Sequence, residues 1–273
     1  MLCQGSVHDV HLRLETEQTV KNLMISLVLV LATASGFAAD ASNLFFLHHS
    51  TGRNLLNEGD ARGLIEAMNS RDGTTFELWD HDYNHLGLRN PAGEFVGTYS
   101  IPDDNTAPDG LHQLCTTANS ARDAILANHE VIAFKSCYPA SDITSDAMLE
   151  ERKGWYLEMR DVFDLHPDKV FVVLSQPPRH RLATTVGQAD RAREFAEWLG
   201  SSEYLAGHPN VVFFDFFDRL AHPDDGSDAR NMLRYEYERS HSSSDSHPNA
   251  VANVAICPDF VAFLVDVASG VST

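Results

Sequence analysis

Short apolar runs and longer segments with helical spacing alternate along this chain from residue 43 to the C-terminal end. Five of the runs have the length and composition of buried strands. The predicted strands are 44–47, 75–79, 131–134, 169–174 and 210–215. Between them, apolar residues recur three or four positions apart, which is the spacing of an amphipathic helix. The predicted helices cover 54–68, 111–128, 146–165, 188–199 and 248–268.

This alternation predicts the fold class. Apolar strands that are separated by helices are typical of a parallel sheet covered on both faces. We therefore predict an α/β protein, a three-layer α/β/α sandwich around a doubly wound, mostly parallel five-stranded sheet. A segment rich in Gly, Pro and Asp, residues 87–110, is predicted to be a long loop. Residues 40–273 contain no internal linker and are predicted to form a single domain.

The composition narrows the function classes. With 273 residues, 43% of them hydrophobic, the chain can bury a full core. Its formal net charge of −19 argues against a nucleic-acid partner, because such a protein neutralises phosphates with Lys and Arg. The same charge disfavours binding to an anionic membrane surface. The expected partner is a small-molecule or carbohydrate ester, with no membrane contact after removal of a signal peptide.

The N-terminal region has the pattern of a secretory signal peptide, residues 20–39. Lys21 precedes an apolar run at 23–33, which is short for a membrane span, and small residues follow at 34–39. Several of residues 1–19 are charged, and we interpret this segment as a mis-annotated extension before a true start at residue 20. The prediction is a secreted or periplasmic protein, with an uncleaved anchor as the alternative. N-terminal sequencing of the expressed protein separates the two.

The cysteines favour neither a disulfide framework nor a zinc site. Cys3 lies in the extension, which leaves Cys115, Cys137 and Cys257 in the mature chain. In an oxidising compartment one pair can form a bridge, and Cys115 with Cys137 is the pair we favour. The spacings include no Cys-x-x-Cys, so a zinc site built from cysteine is not expected.

Ser50 is the first candidate for chemistry. It follows the first predicted strand and precedes a helix, and ligands of open α/β sheets bind at the carboxyl ends of the strands. The N-terminus of a helix has free N–H groups and a favourable dipole, which suit a nucleophile and an oxyanion. The alternative is that Ser50 or Thr51 only caps the helix.

The second candidate is the sequence Asp-Ser-His-Pro at 245–248. A serine nucleophile needs a base that takes its proton, and the base needs a carboxylate that fixes its tautomer. A short Asp-x-His turn supplies both from one loop. The alternative is a polar turn with an exposed histidine.

Together, the serine after the first strand and the Asp-x-His-Pro before the last helix resemble the SGNH hydrolases, also called GDSL-like esterases. The segments "KVFVVLSQPP" and "NVVFFDFFDRL" also look like strands of that family. The resemblance covers about residues 43–268 and marks a divergent member. It implies Ser50 as nucleophile, His247 as general base and acid, Asp245 as its orienting partner, and no cofactor.

The chain departs from the family around the oxyanion hole. His48-His49 replaces the usual Gly-Asp, and "FKSCYPASD" lacks the usual asparagine after the third strand. The Asp-to-His spacing is two residues rather than the usual three. Gly87 loosely matches the family's second donor, and an amide or backbone N–H groups are expected to supply the third. The candidate oxyanion-hole and substrate-binding residues are Gly52, Gly87, Asn84, His49, Lys135 and Cys137.

Lys135 follows the third predicted strand, where a buried ammonium group needs a partner. We expect it to pair with Asp80 or Asp142 as part of the structure. The alternative is contact with an anionic substrate.

The sequence predicts a secreted serine esterase that cleaves an acyl ester, such as a carbohydrate O-acyl ester, through an acyl-enzyme. Two alternatives remain open. One is a metal-dependent hydrolase, because histidines and carboxylates meet at two strand ends. Its ligands would come from the cluster His48, His49, His81 and His85. The other is a non-catalytic protein that keeps the fold and has lost the oxyanion hole.

Overall fold

The apolar runs of the sequence form the central sheet in the computed structural model of the chain, which describes residues 43–102 and 108–270. The strands are β1 (Asn43–Leu47), β2 (Glu77–His81), β3 (Leu88–Arg89), β4 (Phe95–Gly97), β5 (Val131–Phe134), β6 (Val170–Leu174) and β7 (Val211–Phe214). They form one seven-stranded sheet in the order β4-β3-β2-β1-β5-β6-β7. The strands β2-β1-β5-β6-β7 are parallel, while β3 and β4 are antiparallel.

The predicted α/β class is confirmed, and the predicted number of strands is corrected from five to seven. The five parallel strands correspond to the five predicted runs. Strands β3 and β4 lie within 87–110, which was predicted to be a loop. They have two and three residues, too few to show the alternation that identifies a strand in sequence.

The described residues contain nine α-helices. They are α1 (Ser50–Glu58), α2 (Ala61–Asp72), α3 (Pro108–Thr116), α4 (Ser120–Asn128), α5 (Asp146–Phe163), α6 (Val186–Leu199), α7 (Ser202–Leu205), α8 (Phe216–Leu220) and α9 (Ala250–Ala268). Two predicted helices are each divided in two. The first breaks at Asp60, which has a left-handed backbone with φ of 58° and caps α2 through its side chain. The second breaks before Asn119, whose side chain accepts from the Arg122 N–H at the start of α4.

Helices cover both faces of the sheet, so the core has two halves. On one face, Phe46 of β1 packs against Phe260 of α9, with ring centroids 5.0 Å apart. On the other face, Phe134 of β5 packs against Phe163 of α5 at 5.5 Å. Phe45 and Phe46, which are neighbours in β1, belong to opposite halves of the core, and both are fully buried. Each such side chain contributes roughly 1.5–3 kcal/mol by burial.

Helix α9 is long and apolar enough to cross a membrane by length and composition alone. Its buried residues, however, include Ile256, Phe260 and Leu264, which lie in the same half of the core as Phe46. These contacts are those of a core helix.

The predictions on the N-terminal region, residues 1–39, lie outside the described residues. They stay predictions, as does the prediction of a single domain over 40–273. The disulfide prediction is wrong, because Cys115, Cys137 and Cys257 are all free thiols. Cys137 lies instead beside Ser50 and Thr51, as described below.

Candidate active site

Ser50 lies at the carboxyl edge of the sheet because β1 ends three residues before it. The His48 N–H donates to the His81 carbonyl at 3.0 Å, which continues the sheet beyond β1. His49 then takes an extended conformation at the N-cap position of α1, so Ser50 is the first residue of the helix. The Ser50 N–H is in the first turn, where no carbonyl of the helix can accept it.

The Asp245–His247 turn is held at the same edge by the start of α9. Asn249 caps α9 through a bond from the Ala252 N–H, and its amide donates to the Glu238 carbonyl at 3.1 Å. The buried Glu238 carboxylate lies 3.0 Å from His180 Nε2, which hydrogen-bonds to the Ser240 carbonyl. The C-terminal side of the turn is therefore anchored to the segment around Glu238.

Ser50, His247 and Asp245 form a continuous chain of hydrogen bonds. Ser50 Oγ lies 2.8 Å from His247 Nε2, although the two residues are 197 positions apart in sequence. His247 Nδ1 lies 2.5 Å from Asp245 Oδ1, which also accepts the His247 backbone N–H at 3.1 Å. Because a carboxylate can only accept, Nδ1 carries the proton and Nε2 accepts from the Ser50 hydroxyl. This is the geometry of an acyl-transfer triad.

The charge of Asp245 is favoured by its neighbours. Burial opposes ionisation of the carboxyl group, but the hydrogen bonds from the His247 side chain and backbone outweigh it and lower the pKa of Asp245. Asp245 therefore remains a carboxylate at neutral pH and can stabilise an imidazolium on His247.

A polar clamp joins α1 to the segment that precedes the Asp245–His247 turn. Glu58, at the C-terminal end of α1, accepts from Arg239 at 2.7 Å and from Asn253 of α9 at 2.6 Å. The helix that begins with Ser50 and the helix that follows His247 are thus linked at a second point.

The thiol of Cys137 lies next to the serine, where the sequence suggested backbone donors. Its Sγ atom is 3.6 Å from Ser50 Oγ and 3.5 Å from Thr51 Oγ1. The next residue, Tyr138, places its ring edge-on to His247 at a centroid distance of 5.0 Å. The segment after β5 therefore forms one wall of the site.

Lys135 is completely buried below this wall, and its predicted partners are corrected. Its ammonium group donates to Thr51 Oγ1 and to the Ser136 carbonyl. Of the two predicted partners, Asp80 pairs with His48 and Arg62, while Asp142 pairs with Arg179 at 2.6 Å.

Lys135 and Cys137 influence each other's charge. Burial lowers the pKa of Lys135, and the negative character of Cys137 and Asp82 opposes that effect. For Cys137 burial opposes ionisation, but the Lys135 charge and the hydrogen bonds from Thr51 and Ser50 outweigh it, so the pKa lies below the ordinary thiol value. The buried Lys135 thus favours the charged form of the thiol that lies beside Ser50.

Three predicted oxyanion donors already use their N–H groups elsewhere. The Gly87 N–H donates to the Tyr83 carbonyl and the Gly52 N–H to the His49 carbonyl, both at 2.7 Å. The Asn84 amide donates to the Ile101 carbonyl at 2.8 Å. Gly87, with φ of 61°, serves a tight turn, and a Cβ on Gly52 would lie 2.4 Å from His48 Cβ. These three donors are therefore engaged in hydrogen bonds that stabilise the fold.

His48 and His81, which the metal alternative requires as ligands, are engaged in separate contacts. His48 Nε2 lies 3.0 Å from Asp80 Oδ2 in a buried hydrogen bond. His81 Nδ1 lies 2.6 Å from the Asp82 carbonyl, and its Nε2 lies 3.1 Å from Thr98 Oγ1. Both rings are therefore engaged in hydrogen bonds with residues at the end of β2 and with Thr98.

His49 and His85 pack on Tyr83, with ring centroids at 4.3 Å and 5.7 Å. Burial, assisted by the Lys135 charge, lowers the pKa of His49 to about 3, so this ring stays neutral. Within residues 43–102 and 108–270, no group of three or more His, Cys, Asp or Glu side chains is arranged to hold a metal ion. The metal alternative therefore lacks a ligand cluster in the described part of the chain.

The sequence analysis did not single out Tyr83, whose ring packs on His49, the residue before Ser50, at a centroid distance of 4.3 Å. The only sequence signal was its position just after the second predicted strand, which it shares with five other polar or aromatic residues at 80–85. Sequence position alone cannot tell which of these side chains turns towards the serine.

Comparisons with known proteins give distant structural likeness. No family model matches the sequence, and no curated protein matches it. The fold is similar to that of a Streptococcus pneumoniae protein provisionally described as a platelet activating factor, with a TM-score of 0.45, 13% identity, and coverage of 95% of this chain and 100% of that one. It is also similar to the salicylyl-acyltransferase SsfX3 from a tetracycline biosynthetic pathway, with a TM-score of 0.38, 14% identity, and coverage of 83% of this chain and 55% of that one. The functional argument therefore rests on the geometry of the site.

Proposed function

We propose that this protein is a serine esterase of the SGNH type, which cleaves an acyl ester through an acyl-enzyme. The observation that carries the proposal is the hydrogen-bonded chain from Ser50 through His247 to Asp245, at 2.8 Å and 2.5 Å. If residues 245–248 were only a polar turn, nothing would require a serine hydroxyl at His247 Nε2.

In the first half of the reaction, Ser50 Oγ attacks the carbonyl carbon of the ester while His247 Nε2 takes the hydroxyl proton. The carbonyl oxygen becomes an oxyanion next to the free N–H of Ser50 at the start of α1. When the intermediate collapses, the bond to the alcohol breaks and His247 returns the proton to the leaving alcohol. The acyl group remains on Ser50.

In the second half, His247 takes a proton from water, and the resulting nucleophile attacks the acyl-enzyme. Collapse releases the carboxylic acid, and Ser50 recovers its proton from His247. Asp245 stays ionised throughout and stabilises the imidazolium that forms in each half. The balance is one ester and one water consumed for one acid and one alcohol.

We propose that the enzyme is secreted or periplasmic and that its substrate is a polar, carbohydrate-like acyl ester. The predicted signal peptide and the polar side chains at the strand ends support this choice. A panel that compares acetylated sugars with p-nitrophenyl esters of increasing acyl length tests it. Preference for long acyl chains would contradict this proposal about the substrate.

The test of the mechanism is labelling with a fluorophosphonate probe. We expect the wild type to label and the variants Ser50→Ala and His247→Ala to lose labelling and ester hydrolysis. The exposed Ser243 lies in the same loop as Asp245, so Ser243→Ala is the matched control and should behave as wild type. A wild-type protein that neither labels nor turns over p-nitrophenyl acetate would favour the non-catalytic alternative.

A further inference from the structure

The reacting oxygen of Ser50 has a second neighbour, the Cys137 thiol, which the proposed reaction does not use. Cys137 Sγ lies 3.6 Å from Ser50 Oγ, within hydrogen-bond reach for sulfur, and the cysteine has an exposed fraction of only 1%. Either atom can be the donor in such a contact, because a thiol and a hydroxyl both carry a hydrogen. The direction of the hydrogens therefore decides what the thiol does for the serine.

The hydrogen of Ser50 is directed to the base. Ser50 Oγ lies 2.8 Å from His247 Nε2, which accepts because Nδ1 carries the proton that faces Asp245. A hydroxyl has one hydrogen and two lone pairs, so the Ser50 oxygen is an acceptor towards Cys137. The 3.6 Å contact is therefore a hydrogen bond in which the thiol keeps its hydrogen and donates it to Ser50.

Lys135 sets the same direction from the other side of the thiol. Its ammonium group has only donors, and it donates to Thr51 Oγ1 and to the Ser136 carbonyl. Thr51 is fully buried, and its hydroxyl oxygen lies 3.5 Å from Cys137 Sγ. Because Lys135 occupies a lone pair of this oxygen, the Thr51 hydrogen is left to donate to the sulfur. The sulfur accepts from Thr51, and its own hydrogen is available to Ser50.

We propose that the Cys137 thiol is a catalytic residue of the proposed esterase, because it donates a hydrogen bond to the nucleophilic oxygen of Ser50. Lys135 is the positioning residue, which directs the thiol hydrogen by way of Thr51. The hydrogen bonds of the site then run in one direction, from a buried ammonium group to the carboxylate of the triad, and the bonds of such a chain polarise one another.

The thiol acts at the moment of attack. When the base removes the Ser50 proton, negative charge develops on Oγ, and a hydrogen bond to a charged oxygen is stronger than one to a neutral oxygen. The Cys137 hydrogen stays on sulfur throughout, and the sulfur forms no covalent bond. This inference rests on the proposed function and assigns a role in it to the thiol and the lysine.

Cys137→Ala and Cys137→Ser separate the effect of the donor from that of side-chain volume. We expect Cys137→Ala to lower kcat/KM for p-nitrophenyl acetate by about tenfold, while Cys137→Ser, which supplies a hydroxyl donor, stays within about threefold of the wild type. Fluorophosphonate labelling should slow in parallel, since it also begins with attack by Ser50. The matched controls are Cys115→Ala and Cys115→Ser, the same changes at a thiol that packs against the apolar core, and their kcat/KM should equal that of the wild type.

The pH profile of kcat/KM is a readout that a purely structural role of Cys137 would not change. The titratable or charged side chains around the thiol and its lysine are Lys135, Asp82, Tyr83, Tyr138 and His247. Burial raises the pKa of both tyrosines, so they keep their protons well above neutral pH. For Cys137 burial opposes ionisation, but the Lys135 charge and the hydrogen bonds outweigh it and lower the thiol pKa.

As the pH rises through the thiol pKa, Cys137 loses the hydrogen that it donates, and kcat/KM of the wild type should fall. Cys137→Ser has no group that ionises in this range and should keep its activity. Lys135→Met removes the charge that favours the thiolate, so the fall should move to higher pH, and kcat/KM at neutral pH should decrease by about tenfold.

A Cys137→Ala variant with near wild-type kcat/KM, alongside an inactive Ser50→Ala, would overturn the role of the thiol and leave the esterase intact. The same conclusion would follow from a Cys137→Ser variant that is as impaired as Cys137→Ala or that loses activity at the same high pH as the wild type. An inactive wild type would overturn both proposals. Circular dichroism checks the folding of each variant, and the pH profile of Cys137→Ser tests the proposal even where Cys137→Ala does not fold.

Discussion

At the scale of single residues, the candidate site depends on one hydrogen. The proton on His247 Nδ1 is held by Asp245, and only this tautomer leaves Nε2 able to accept from Ser50. The sequence predicted these three residues because each has a local signal, a serine after a strand or an Asp-x-His turn before a helix. It did not identify the contacts of the Cys137 thiol with Ser50 and Thr51, because the direction of a side chain at a strand end depends on its neighbours in space.

Asp245→Asn tests the tautomer argument. An asparagine can donate its amide hydrogen to Nδ1, which moves the imidazole proton to Nε2 and prevents the ring from accepting the Ser50 proton. We expect kcat to fall by up to about 10⁴-fold, with the folded structure unchanged. Steady-state kinetics at neutral pH, with circular dichroism to check folding, measure this effect. A loss below about tenfold would mean that Asp245 does not orient the base.

At the scale of elements, the site depends on the contact between α1 and α9, which carry the two halves of the triad. Gly59, directly after α1, lies against α9, and a Cβ there would be 2.3 Å from Cys257 Cβ and 2.8 Å from the Asn253 carbonyl oxygen. The sequence suggested one helix across this point. The break follows from the close approach of α9, which is distant in sequence.

Gly59→Ala is expected to destabilise the protein by about 1–3 kcal/mol, because the added methyl group overpacks the contact with α9. The control is Gly154→Ala in the middle of α5, where a Cβ would meet no atom within 4 Å. Since alanine favours a helix over glycine, this control should stabilise by roughly 0.5–1 kcal/mol. Denaturant unfolding measures both free energies. Equal effects of the two substitutions would contradict the proposed close contact.

At the scale of the whole molecule, the buried His129, which follows α4, connects the start of β1 with Tyr99 in the segment after β4. Its Nδ1 lies 2.7 Å from the Asn43 side-chain oxygen at the start of β1, and its Nε2 lies 2.8 Å from the Tyr99 hydroxyl. The ring also stacks on Phe45 at 4.4 Å. Burial, with a smaller effect from the Lys169 charge, lowers the pKa of His129 from 6.5 to about 4.

This shift makes the stability of the fold depend on pH. Between about pH 4 and 6.5 the unfolded chain binds a proton at His129 that the folded chain does not. The free energy of unfolding is therefore complete above pH 6.5 and falls as the pH decreases towards 4, by on the order of 3 kcal/mol from this residue. His129→Gln keeps a donor and an acceptor but does not titrate. Urea unfolding at several pH values should show a shallower pH dependence for the variant, and identical slopes would refute the assignment.

The sequence by itself determined the α/β class, the five parallel strands and the positions of Ser50, Asp245 and His247 as candidates. These are local properties, because periodicity, strand length and capping residues act over a few neighbouring positions. Only the tertiary structure decided the antiparallel strands β3 and β4, the break after α1, the partners of Lys135 and the contact of Cys137 with Ser50. Each of these depends on distances between residues far apart in the chain, which the packing of helices on the sheet sets and no local pattern records.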